Sequence, residues 1–248
     1  MSGGGAGALT PAAAPARARV QWIDAARGVA ILAMVVYHGA FDLVFLGLAD
    51  WPVTSSFAWR AFAAGIASTF LFLAGVSLVV AHGDGVRWRP FLRRLLVIGA
   101  AAAAVTVATA FAMPAPIYFG ILHAIATFSV LALPFVFAPA GVTLAVAAGV
   151  FALPFLWRDP LFMAPWAYPL GLAPVAPYTF DYEPVFPWFS VTLAGVAFAR
   201  LVRPRAGGGG GRIAEAVGWL GRHSLVIYLV HQPVLMGILL LVRMTIVS

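Results

Sequence analysis

The sequence predicts an all-α fold, a polytopic transmembrane helical bundle of about seven spans with its N-terminus cytoplasmic. Three observations carry that prediction. Of 248 residues, 63% are hydrophobic and 9% charged, with a mean hydropathy of +0.99. Soluble domains are about 45–50% apolar and about 25% charged. Apolar runs of membrane-spanning length recur along the chain, broken by proline, glycine and charge. The arginines fall mostly on alternate connections, the pattern of a positive-inside bias.

Residues 1–19 are rich in Gly, Ala and Pro, lack an apolar run of signal-peptide length, and read as a disordered tail. The first span is then an uncleaved anchor, and one transmembrane domain fills 20–248. Spans are predicted at 20–48, 57–81, 91–112, 117–137, 139–156, 185–202 and 223–246. Those at 139–156 and 185–202 are short and flanked by prolines. With the N-terminus inside, Arg17, Arg19, Arg87, Arg89, Arg93, Arg94, Arg200, Arg203, Arg205, Arg212 and Arg222 are cytoplasmic. Only Arg60, Arg158 and Arg243 fall outside, and Arg27 lies within the first span. An even number of spans would spoil that asymmetry.

Composition also excludes chemistries. Cysteine is absent, so disulfides, thiolate metal sites and a cysteine nucleophile are excluded. All fifteen basic residues are arginine, which leaves no lysine for a Schiff base. The net charge of +7 and pI near 10.8 follow from topology, and no nucleic-acid partner is indicated. The histidines show neither HExxH nor a pair at i, i+4 spacing, so no metal site is expected.

Between spans six and seven, 206–211 is Ala followed by five Gly, a flexible cytoplasmic linker. After it, Ile213, Val217 and Leu220 recur at helical spacing beside Arg212, Glu215 and Arg222, which predicts a short interfacial helix within 206–222. The outer loop 157–184 is long and rich in Pro, Trp and Tyr, a length that suits a lid or a site lining. No internal repeat is evident, which weakens a transporter built from duplicated halves.

The first span carries Asp24, Arg27, His38 and Asp42. Ionisable groups at membrane depth are costly and mark function. On a helix the four fall within an arc of roughly 60° and extend over about 27 Å, near the hydrocarbon thickness. Asp24 is spaced to pair with Arg27, and Asp42 to hold the His38 imidazole in one tautomer. His38 with Asp42 reads as a general base toward an alcohol or amine. An interfacial ion pair is the competing account of Asp24 and Arg27, and a hydrogen-bonded core histidine that of His38.

Other candidates are placed around this stripe. His123, in the fourth span, either meets the substrate or packs between helices. Ser224, Tyr228 and His231 share a face of the last helix, for ligand contact or for interhelical hydrogen bonding. Arg93 and Arg94, with Arg87 and Arg89, suit the phosphates of a nucleotide-like donor, and anchoring to anionic lipid is the alternative. Asp181, Glu183 and Trp188 outside form an acidic and aromatic rim suited to a sugar, although interfacial Trp is also ordinary belt chemistry.

These residues resemble a known family. Ile23-Asp24-Ala25-Ala26-Arg27-Gly28, followed by Met34, His38 and Asp42, is similar to the first helix of the heparan-alpha-glucosaminide N-acetyltransferase-like bacterial membrane proteins. That group is related to the transmembrane acyltransferase superfamily, whose acyltransferase-3 members carry an Arg and a His with ten residues between them, as Arg27 and His38 are. Phe72-Leu73-Ala74-Gly75-Val76-Ser77, Phe119-Gly120-Ile121-Leu122-His123, Phe186-Pro187-Trp188-Phe189 and Ser224 to Pro233 agree in order. The animal enzyme's proposed histidine, in a loop after the first span, has no counterpart here.

The resemblance implies a multi-pass acyltransferase of the bacterial inner membrane. Its donor would be cytoplasmic acetyl-CoA and its acceptor a hydroxyl or amine of an extracytoplasmic sugar or glycan. Glycosaminoglycan as the acceptor is not implied. On that reading His38, Asp42, Arg27 and Asp24 are catalytic, and Arg93, Arg94, Arg222, Ser224, Tyr228 and His231 hold the donor. His123, Asp181, Glu183 and Trp188 meet the acceptor. The lipid bilayer is the one further partner expected, and the oligomeric state, a homo-oligomer included, stays open. The competing class is a proton-coupled transporter that uses the same stripe as a relay.

Overall fold

The computed structural model describes residues 20–205, 207 and 211–247. The expected tail with Arg17 and Arg19, and all of the glycine linker except Gly207 and Gly211, lie outside the described residues. Among the described residues the chain forms α1 Gln21–Phe45, α2 Phe57–His82, α3 Trp88–Ala112, α4 Ile121–Leu131, α5 Ala140–Leu156, α6 Val185–Val202, α7 Arg212–Arg222 and α8 Ser224–Val247. No strand accompanies them; one isolated bridge pairs Phe119 with Tyr182. The protein is an all-helical, multi-pass membrane bundle.

Five helices, α1, α2, α3, α6 and α8, are long and apolar enough to cross a membrane, and α4 and α5 are shorter apolar helices. The fourth predicted span, 117–137, differs most from expectation. Only Ile121–Leu131 is α-helical, and a 3-10 turn follows at Pro134–Val136. Pro134 has no N–H to give to the Val130 carbonyl, which Leu133 N takes instead at 3.2 Å, so the α-helical ladder ends there. Eleven residues rise about 17 Å, roughly half the hydrocarbon core. Phe128, Ala132 and Val136 are fully buried, so protein surrounds this segment.

That burial defines the centre of the bundle, where Leu71 of α2, Phe128 of α4 and Leu193 and Val196 of α6 pack together. Lipid tails are as apolar as leucine, so close packing holds these helices rather than exclusion of water. The α2–α6 contact shows how. A Cβ at Gly75 would overlap the Thr192 carbonyl, and one at Gly195 would overlap the Phe72 carbonyl. Gly75 also approaches Val196 N, so the two backbones nearly touch where the helices cross.

The predicted interfacial helix is α7, and it packs on the start of α1. Gly221 abuts the Asp24 carbonyl and Gly28 abuts the Val217 carbonyl, again a close backbone crossing. The chain then reverses at His223 into α8, which also packs on α1. Asp24 and Arg27 are thereby enclosed from the side of the last two helices.

The outer loop is ordered by its own hydrogen bonds. The Asp159 side chain accepts from Leu161 N at 2.8 Å and caps a 3-10 turn at Pro160–Met163. The Tyr182 hydroxyl donates to the Tyr168 carbonyl at 2.6 Å. The Thr179 hydroxyl donates to the Pro116 carbonyl at 2.9 Å, and Glu183 N donates to the Phe119 carbonyl at 3.0 Å. The loop is therefore strapped across the start of α4.

Candidate functional site

A cavity of about 930 Å³ opens among α1, α2, α3, α4 and α8. Its walls carry Arg27, Arg87, Arg89, Arg93, Arg94 and Arg222 against a single carboxylate, Asp24. Six guanidinium groups facing one acid make a strongly positive chamber, shaped for a ligand with several anionic oxygens. Ser77, Ser224 and Tyr228 supply hydroxyls, while Val97, Ile98, Leu122 and Ile125 form an apolar wall. A ligand with a phosphorylated end and an apolar end fits such a lining.

Arg27 is fixed on two sides. Its guanidinium lies 3.6 Å from the Asp24 carboxylate and donates to the Ser77 hydroxyl at 2.5 Å. Ser77 directs its own proton to the Leu73 carbonyl, which leaves its lone pairs for Arg27. Arg94 has no such fixture. Its charged neighbour is Arg27, another cation. Two guanidinium groups on one cavity wall suit an anionic ligand.

The histidine end of the stripe is arranged differently from expectation. Asp42 is fully buried, and its carboxylate accepts from Gln232 Nε2 of α8 at 2.7 Å. Among the described residues it makes no hydrogen bond with His38, and its second oxygen is buried without a partner. The His38 ring instead faces His231 of α8, with ring centres 4.9 Å apart, and the Tyr37 ring at 5.6 Å.

Asp181 joins the outer loop to this region. Its Oδ2 accepts the Ile121 backbone N–H at 3.0 Å and so caps α4. The approach depends on Gly120, where a Cβ would overlap the same oxygen. From there Asp181 acts electrostatically on His38, His123 and Tyr228. Its neighbour Glu183 has a buried, unpartnered oxygen. Burial first, and the Asp181 charge second, push the Glu183 carboxyl well above the usual carboxylate range. His123 has a defined tautomer. The Thr106 hydroxyl donates to the Ile117 carbonyl at 2.6 Å, so it accepts from His123 Nε2 at 3.2 Å, leaving Nδ1 free.

Of the residues expected to form the site, Asp24, Arg27, Arg93, Arg94, Arg222, Ser224 and Tyr228 come together on the cavity wall. His38, Asp42 and His231 form a second group beyond Tyr228, and Asp181, Glu183 and His123 a third at the start of α4. That third group does not line the cavity but adjoins its wall, because Ile121 lines it and donates its backbone N–H to Asp181. Trp188 joins none of the three; it packs against the hydrophobic core. Sequence reasoning passed over Gln232, Thr106, Gly120 and Ser77 as site residues. A polar side chain within an apolar span was the available signal for Gln232, Thr106 and Ser77. Gly120 gave none.

The family model described as "Heparan-alpha-glucosaminide N-acetyltransferase, catalytic" matches residues 19–233, nearly the whole chain. No curated protein and no solved structure matches it.

Proposed function

The chain belongs to the heparan-alpha-glucosaminide N-acetyltransferase catalytic family, and from that premise we propose that it moves an acetyl group from acetyl-CoA to a hydroxyl or amine of a sugar across the membrane. The arginine-rich cavity is the donor site. Arg93, Arg94 and Arg222 bind the donor's phosphates, while Ser224, Tyr228 and the apolar wall receive the arm that ends in the thioester. The thioester supplies an activated acyl carbon; the chain's own groups orient it and manage the proton.

His38 acts as general base on the acceptor, which enters from the face closed by the outer loop. Asp181, Glu183 and His123 bind the acceptor's polar groups. Arg27, held by Asp24 and Ser77, orients the donor at the inner part of the cavity. Asp42 fixes α8 against α1 through Gln232, and so sets the place of His38 in the site. The positive-inside distribution of arginines supports a cavity mouth on the cytoplasmic side, and on this reading the membrane is a bacterial inner membrane.

The observation that carries this reading is the reach of one cavity. It begins at a cluster of arginines and ends at Ile121, whose N–H is held by Asp181. A donor bound there would thus lie one residue away from Asp181, in the group that we assign to the acceptor. Calorimetric titration of CoA and of 3′-dephospho-CoA onto the detergent-solubilised chain tests the donor half. Micromolar binding of CoA that weakens with salt, and further with loss of the 3′-phosphate, is expected. Absence of binding would remove the cavity from the mechanism.

A further inference from the structure

His231 was expected among the donor-binding residues, yet it does not line the arginine-rich cavity. Its ring centre lies 4.9 Å from that of His38 and 5.7 Å from that of Tyr228. Its Nδ1 lies 2.6 Å from the Tyr228 carbonyl oxygen. A carbonyl only accepts, so Nδ1 carries the hydrogen, and in the neutral ring Nε2 carries the lone pair. That Nε2 is buried without a partner, in a residue only 8% exposed. Buried polar atoms are nearly always satisfied, so an unused lone pair on a ring packed against that of the expected base calls for a reason.

The surroundings supply one. Tyr228 lines the cavity and touches His231, and His231 touches His38, so the three rings stand in series from the donor chamber to the base. The charged and titratable groups near the pair are Asp42 of α1, held through Gln232, Asp181 of the outer loop, which acts on His38, and Tyr228 of α8 itself.

We propose that His231 is the second imidazole of the transfer centre: its Nε2 takes up, through His38, the proton that the acceptor loses on acylation, and returns it to the departing thiolate. The proposal rests on the transferase reading above. In the step, the acceptor's nitrogen or oxygen bonds to the thioester carbonyl carbon and the carbon–sulfur bond breaks. The acceptor's proton moves to the free nitrogen of His38, whose other nitrogen passes its proton to His231 Nε2. Reverse passage delivers a proton to the thiolate, so CoA leaves as the thiol and both rings end neutral. His231 touches no reacting atom on this scheme; it is a positioning residue that acts through His38.

The test compares wild type, His231→Asn and His231→Gln as full chains in liposomes, with acetyl-CoA as donor and glucosamine as the probe acceptor. The Asn amide can still donate to the Tyr228 carbonyl but offers no lone pair where Nε2 stood. A fall in kcat of about 100-fold or more is expected, the scale of general-base loss, with binding of CoA unchanged and the acid limb of the pH profile displaced. A purely structural role would lower thermal stability and leave that limb in place. Independently of turnover, ¹⁵N-histidine NMR reads the pair directly. His231 should carry its hydrogen on Nδ1, and His38→Gln should shift its titration. Wild-type kcat and pH profile in His231→Asn, a hydrogen on Nε2, or a titration blind to His38→Gln would each overturn the proposal. Failure of wild type to bind CoA would instead strike the transferase reading.

Discussion

Asp42 on α1 and Gln232 on α8 are joined by a 2.7 Å hydrogen bond from the amide to the carboxylate. They stand 190 positions apart in the sequence, and their contact holds the first helix to the last beside His38 and His231. The second Asp42 oxygen and the Gln232 carbonyl oxygen are buried without partners. The single bond between them is therefore the only satisfaction this polar pair receives among the described residues.

Removing it should be costly. Gln232→Leu leaves a fully buried carboxylate with no donor, a loss of about 1–3 kcal/mol. Unfolding by SDS titration in mixed micelles should show that decrease, and acetyl transfer should fall with it because α8 is no longer fixed against His38. Stability equal to wild type would show that the bond contributes nothing.

Gly120→Ala tests the link between loop and helix. The backbone there is extended, with φ −84° and ψ −172°, so alanine meets no conformational obstacle. Its methyl would, however, occupy the position of Asp181 Oδ2. The loop must shift, the α4 cap is lost, and Asp181 moves away from His38, His123 and Tyr228. Transfer should fall at least tenfold while CoA binding, measured by calorimetry, stays within about twofold of wild type. An unchanged rate would separate Asp181 from the chemistry.

Arg94→Gln should act on binding and stability in opposite senses. The side chain lines the cavity beside another cation and, among the described residues, has no counter-ion of its own. A charge-assisted hydrogen bond to a phosphate is worth about 1.5–3 kcal/mol, so CoA affinity should drop about tenfold or more. Loss of the Arg27–Arg94 repulsion should leave the ligand-free thermal midpoint equal or higher. A variant that binds CoA normally would return Arg94 to the role of lipid anchor.

Glu183 gives a pH dependence with a definite sign. Its carboxyl is held well above its ordinary value by burial and by Asp181. The folded state therefore keeps a proton that the unfolded chain has already released. Stability should be highest in acid and decline as the pH rises above about 4.3, where the unfolded carboxyl ionises, until the raised folded value is passed. Glu183→Gln removes that decline, so its thermal midpoint at neutral pH should exceed that of wild type. A wild-type midpoint that rises with pH over the same range, undisturbed by the substitution, would contradict the assignment.

The bundle was legible in the sequence because composition and arginine placement report directly on the bilayer. The positions of α1, α2, α3, α6 and α8 follow from apolar length alone. The fourth span was not, because Pro134 sits inside an apolar run and hydropathy does not register the break it imposes. The residues that line the arginine-rich cavity were legible because charge within apolar sequence is conspicuous. The Asp42 partner was not. Helical spacing offers His38 as the neighbour four residues away, while Gln232 reaches Asp42 only because α7 turns the chain back and lays α8 on α1. Asp181 read as part of an outer rim, since nothing in the sequence shows that the loop folds inward past a glycine onto α4.

The central claim, transfer of an acetyl group through the bundle, is tested most directly in sealed inside-out vesicles. These carry wild type or His38→Gln, with acetyl-labelled acetyl-CoA outside and glucosamine enclosed. Label should appear on the enclosed amine with wild type, at a rate at least about 100-fold above that of a folded His38→Gln variant. Equal rates for the two proteins, or uptake of label with no covalent change in the sugar, would contradict the account and leave proton-coupled transport as the reading of the stripe.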